Sequence, residues 1–153
     1  NYGMPESLPD RLECGTVNTA GILGLGAGLA FIDERGIRNI HNQEMKIGGD
    51  IHSRLQNIPG VTLYTESFTN DSCVPVIAFN IDGYTSEETT EKLSEMGFAL
   101  RGGLHCAPLA HEKMGTMETG AARISIGVMN TMEQARHLCN AIYKIAAGSK
   151  AVR

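Results

Sequence analysis

The residues best suited to chemistry cluster in one stretch, Arg101–His111, which reads RGGLHCAPLAH. Cys106 supplies a thiol whose ionised form is a strong nucleophile and metal ligand. Taken alone, a single cysteine is more often a small buried hydrophobe. Three local features set this one apart: Gly102 and Gly103 leave the backbone free to move, Pro108 holds Ala107 extended, and Arg101 and His105 put polar groups near the sulfur. On these residues alone, reactive thiol and inert packing both remain open. His105 and His111 flank the thiol, but three donors without a C-x-x-C or H-E-x-x-H partner fall short of the usual zinc set, so no metal is expected.

Arg123, in GAARISIG, is the second candidate. A lone arginine at the start of a strand is ordinarily a solvated surface residue. Its guanidinium fork also fits a carboxylate or phosphate, and near a reactive loop it could hold a substrate acid. The glycine run Gly24–Gly28, GLGAG, lacks both a preceding strand and the third glycine of a dinucleotide loop, and reads instead as a tightly packed helix. Cys14, Cys73 and Cys139 lack the setting of Cys106, and Cys139 falls on the buried face of a predicted helix. Without paired cysteines, a reducing, cytoplasmic location is the expected one.

Several elements must position these groups. A helix is predicted from Asn18 or Thr19 to Gly36, with Ile22, Leu25, Leu29 and Ile32 at helical spacing, and a second from about Ile37 to Leu55. Strands are predicted at Val61–Thr65 and Pro75–Ile81. The helix in TSEETTEKLSEMG should be capped by Thr85 or Ser86, with Glu87 and Glu88 at its positive end and Gly97 closing it. A short strand is predicted in FALRG, another in AARISIG, and a closing amphipathic helix in TMEQARHLCNAIYKIAA. His41, His52 and His137 fall on predicted helix surfaces and are expected in solvent. Two helices followed by β-β-α-β-β-α imply an α+β, two-layer fold: a mostly antiparallel sheet with helices on one face.

The 153 residues suffice for one compact core. A formal charge of −4 with scattered lysines and arginines argues against nucleic acid. No apolar run approaches the ~20 residues of a membrane span, and no signal-peptide pattern opens the chain. Asn1 is no initiator residue, so the expectation is a processed product or the middle of a longer gene.

Three segments, LPDRLECGTVNTAGILGLGAGLAFI, RGGLHCAPLAH and GAARISIGVMNT, resemble the C-terminal part of cysteine desulfurases. These are pyridoxal-phosphate enzymes of the class-V aminotransferase-like group with fold type I. The resemblance runs nearly end to end, with the segments in the family's order. It implies a homodimer that takes sulfur from L-cysteine, releases alanine and passes a persulfide to an acceptor protein or thiol, as in iron–sulfur cluster assembly. Cys106 corresponds to the sulfur-carrying cysteine and Arg123 to the arginine that pairs with the substrate carboxylate. Arg101 and His105 fall at the substrate side of the site without a firm role. Thr16, with Gly15 beside it, corresponds to a contact with the cofactor phosphate of the neighbouring subunit.

The resemblance also divides the chain: residues 1–36 would belong to the large-domain and dimer side, and residues 37–153 would form the small C-terminal domain. The cofactor lysine of the family sits in a Ser/Thr-Gly-His-Lys pattern. None of Lys46, Lys92, Lys113, Lys144 or Lys150 follows a histidine, so the chain alone is expected to carry no covalently bound cofactor and to be inactive. Selenocysteine lyases and other class-V enzymes share much of the pattern. A cofactor-free sulfur-relay or assembly domain is the alternative from another functional class.

Overall fold

Helical periodicity, caps and two β-rich runs build the elements in the computed structural model, which describes residues 3, 5–13, 15–66, 68 and 74–149. Cys14 and Cys73 lie outside the described residues. The chain divides into two compact units, Asn1–Ile37 and Arg38–Arg153.

In the first unit a 3-10 turn at Asp10–Leu12 precedes helix α1, Thr19–Arg35. Asn18 caps α1 by accepting from the Gly21 amide at 3.0 Å, and Gly36, at φ +78°, ends it. The predicted apolar positions Ile22, Leu25, Leu29 and Ile32 are all exposed.

The second unit carries the core. Helix α2, Ile37–Leu55, buries Ile47, Gly48, Ile51, His52 and Leu55. Gly48 interrupts the apolar stripe because the ring of Phe68 lies where a β-carbon would stand. His52 departs from expectation: it is buried, donating from Nε2 to the Thr65 carbonyl at 2.8 Å, with its ring centroid 6.0 Å from that of Phe68. That hydrogen bond removes most of the penalty for an imidazole on a buried face. His137 is exposed, and His41 is half-buried.

Strands β1, Val61–Leu63, β2, Val76–Ile81, and β3, Ala122–Ser125, form an antiparallel sheet in the order β1-β2-β3. Alternation along a strand sends neighbouring side chains to opposite faces. Ile77, Phe79, Ile81, Ala122 and Ile124 point into the core against α2, α3 (Ser86–Glu95) and α5 (Met132–Ser149). Ala78, Asn80, Arg123 and Ser125 point the other way. The helices of the core thus cover one face of the sheet, the expected α+β layering, and the second face carries the polar groups.

Two local devices fix α3. Thr85 and Glu88 form a reciprocal capping box. At the other end Gly97, at φ +87°, lets Phe98 N–H reach the Leu93 carbonyl and its own N–H reach Ser94, a Schellman ending. Thr131 and Gln134 repeat the box ahead of α5. The predicted strand in FALRG is not formed; only Arg101 bridges to β3. A helix absent from the sequence reading, α4, spans Pro108–Met114, with proline in its first turn and left-handed Gly115 at its end.

Candidate active site

Residues 119–123 form the platform of the site. Asn80 on β2 donates from Nδ2 to the Gly120 carbonyl at 2.8 Å and accepts from the Ala122 amide at 3.3 Å. Between those contacts, Ala121 serves the cysteine loop with both its main-chain groups. Its N–H donates to the Gly103 carbonyl at 3.1 Å, and its carbonyl accepts from His105 Nε2 at 2.8 Å. Arg123 follows two residues later and donates its amide to the Arg101 carbonyl at 2.8 Å. Arg101, His105 and Arg123 are therefore tied to one backbone segment.

The Arg123 side chain is half-buried, and its Nε–H is buried with no hydrogen-bond partner among the described residues. A buried guanidinium donor left unpaired is costly. It is the feature expected of a group that waits for an anionic ligand.

The root of the cysteine loop is clamped rather than hinged. A β-carbon on Gly102 would stand 2.6 Å from the Ser86 carbonyl oxygen and 2.8 Å from its carbon. Gly103 N–H donates to Ser86 Oγ at 3.0 Å, and Ser86 N–H donates to the Thr119 carbonyl at 3.1 Å. Gly120, at φ +61°, has Ser86 Oγ and the Gly103 backbone where a side chain would go. Of the two glycines that suggested motion, Gly102 serves close approach and Gly103 adopts a left-handed backbone at φ +108°. Beyond this clamp the loop runs through Leu104–Ala107.

Within that span His105 and Cys106 both adopt left-handed backbone, at φ +53° and +59°. For residues with a β-carbon this costs roughly 1–2 kcal/mol each. The His105–Ala121 bond and a turn closed by Ala107 N–H to the Leu104 carbonyl at 2.9 Å hold the conformation. Its effect is to present Cys106 exposed to solvent. His105 donates from Nε2, and its Nδ1 is buried with no hydrogen-bond partner among the described residues. His111, also in the sequence cluster, is buried, with its ring centroid 6.0 Å from that of His105, and is bonded through Nδ1 to Thr116 Oγ1 at 2.8 Å.

Cys139 is buried on α5, as its helical position predicts, and burial pushes its thiol up to about 11. Gly15 and Thr16 belong to the first unit, where both are exposed ahead of α1. Asn80 and Ser86 escaped the sequence reading. The signal for Asn80 is one carboxamide inside the otherwise apolar run VIAFNI; for Ser86 the local pattern signals only an alternative cap.

The Aminotransferase class-V family model matches residues 1–138. A probable cysteine desulfurase of Methanothermobacter thermautotrophicus is 32% identical over 143 residues, covering 92% of this chain and 35% of that protein. A cysteine desulfurase of Escherichia coli O157:H7 is 34% identical over 139 residues, covering 90% of this chain and 32% of that protein. Among solved structures, the apo cysteine desulfurase of Thermococcus onnurineus NA1 superposes with a TM-score of 0.83 at 28% identity, over 92% of this chain and 34% of that one. The chain thus spans about a third of the length of the curated relatives it matches.

Proposed function

The chain belongs to the aminotransferase class-V family, and on that premise we propose that it is the C-terminal part of a cysteine desulfurase that carries sulfur on Cys106. The observation that carries this reading is the link just described: an exposed thiol on a strained turn, bonded through His105 and Ala121 to the strand that bears Arg123, whose buried Nε–H has no partner among the described residues.

Each residue then has work to do. Arg123 offers its fork to the carboxylate of L-cysteine, which orients the amino acid and satisfies the orphaned Nε–H. The Cys106 thiolate attacks the substrate sulfur. A sulfur–sulfur bond forms as the substrate carbon–sulfur bond breaks, and the electron pair stays with carbon, which takes a proton to become alanine. Exposure of Cys106 on the short span between Gly103 and α4 suits delivery of the persulfide to an acceptor protein or thiol. Arg101 and His105 are assigned to the substrate side of the site through their backbone and side-chain ties to Arg123 and Ala121.

Family membership implies pyridoxal phosphate in the full-length enzyme. Its fit to this chain is limited to one place: Gly15 and Thr16 stand exposed just before the N-terminus of α1, where the Thr16 hydroxyl and the helix dipole suit a phosphate. When bound, the cofactor supplies the electron sink for carbon–sulfur cleavage. The lysine that would hold it matches none of the chain's own, so we assign it to the remainder of the enzyme and expect the isolated chain to be inactive. A homodimer in a cytoplasmic setting completes the proposal. Among the described residues no helix is long and apolar enough to cross a membrane.

The test is an assay of the full-length enzyme for alanine and reducible sulfur. Cys106→Ala should abolish both in steady state while the cofactor absorbance persists. Undiminished sulfur release from that variant would refute the assignment.

A further inference from the structure

We propose that Asn80 is a positioning residue that fixes the sulfur-carrying loop and the carboxylate-binding arginine relative to each other. The inference rests on the reading of Cys106 and Arg123 given above and adds to it a residue that touches neither substrate nor cofactor.

Asn80 occupies a strand whose other inward and outward neighbours are apolar, and it is 9% exposed. A carboxamide is retained in such a place only where its hydrogen bonds are met. Both of its polar atoms are satisfied, and every side-chain contact leaves its own strand. Nδ2 reaches the Gly120 carbonyl at 2.8 Å and the Tyr64 hydroxyl at 3.2 Å, while Oδ1 accepts from Ala122 at 3.3 Å.

The register explains why these contacts matter. The β2–β3 ladder ends at the Phe79–Ala122 pair, so Gly120 and Ala121 lie beyond it. Ala121 spends both main-chain groups on the cysteine loop, through Gly103 and His105. Gly120 is buried and left-handed, and its carbonyl meets Asn80 Nδ2. Asn80 grips the chain on either side of Ala121, and in doing so holds the anchor of Cys106 and the first residues of the strand carrying Arg123 as one body. An apolar side chain of the same size would leave the Gly120 carbonyl without its amide donor and let the anchor drift. A displacement of about an ångström at reacting groups is enough to slow a reaction strongly.

The experiment uses the full-length holoenzyme. Asn80→Ala should keep the cofactor absorbance but lower kcat/KM for cysteine about tenfold or more, with KM raised and single-turnover persulfide formation slowed together. Asn80→Asp covers the case in which the alanine variant fails to fold. It keeps an acceptor for Ala122 but, when ionised, sets a carboxylate against the Gly120 carbonyl. Protonation restores a donor there, so its kcat/KM relative to wild type should rise as pH falls, a profile that a merely structural role would not produce. Tyr64→Phe, which leaves both platform contacts in place, should stay near wild type. Wild-type KM and persulfide rate in a folded Asn80→Ala, or in Asn80→Asp at every pH if the alanine variant does not fold, would overturn the proposal. If Cys106→Ala is dead while the Asn80 variants behave as wild type, only this inference fails. If Cys106→Ala still gathers sulfur, the reading beneath it fails as well.

Discussion

His105 and Ala121 are joined by a 2.8 Å hydrogen bond from imidazole Nε2 to the main-chain carbonyl. Cys106 follows the first of these residues and Arg123 comes two after the second. The bond therefore ties the exposed thiol to the strand that bears the arginine. It also helps hold two consecutive left-handed residues that would otherwise relax.

Removing that tie should loosen the loop without unfolding the domain. In His105→Ala, amide exchange over Leu104–Ala107 should rise, and persulfide formation should slow severalfold. Hydrogen-exchange mass spectrometry checks the first expectation directly. Unchanged protection across those residues would mean that the turn is held by other contacts.

Glycines separate by what surrounds them. Gly102→Ala drives a β-carbon into the Ser86 carbonyl and should cost about 1–3 kcal/mol, the usual penalty for overpacking. Gly49 lies in the interior of α2 with open space around its α-carbon. Gly49→Ala should stabilise by about 0.5–1 kcal/mol, the helix preference of alanine over glycine. Thermal denaturation of the pair would test both; equal effects would contradict the close approach at Gly102.

Much of this organisation was legible in the sequence because local rules sufficed for it. The caps of α3 follow from Thr85 and Gly97, and the apolar alternation of β2 follows from Ile77, Phe79 and Ile81. Other features depend on partners distant along the chain. His52 reads as solvated until the Thr65 carbonyl is seen opposite it, and Gly48 reads as a defect until Phe68 fills its place. The short helix α4 was hidden because Pro108 signals equally a rigid loop and a first helical turn. The strand expected in FALRG needed a continuous pairing with β3, and only Arg101 makes one. In the site, Cys106 and Arg123 stood out by residue type. Asn80 and Ser86 act through bonds to residues 40 and 17 positions away, which no local pattern encodes.

Cys139 offers a contrast to Cys106 in the same molecule. Burial raises its thiol from 9.0 to about 11, so the folded state binds that proton more tightly than the unfolded chain. The associated stability is whole below pH 9 and is lost as pH rises through about 11. At pH 8, a maleimide should label Cys106 quickly and Cys139 only after unfolding. Peptide mapping of the labelled protein would show this, and rapid labelling of Cys139 in the folded state would contradict its burial.

The central claim is that sulfur from L-cysteine comes to rest on Cys106. Its most direct measurement is peptide mass mapping of the full-length enzyme, alkylated after a single exposure to cysteine. One added sulfur is expected on the Cys106 peptide in the wild type, and the same location with a higher cysteine requirement in Arg123→Ala. Sulfur found on Cys139 or another cysteine instead, with the Cys106 peptide unmodified, would contradict it.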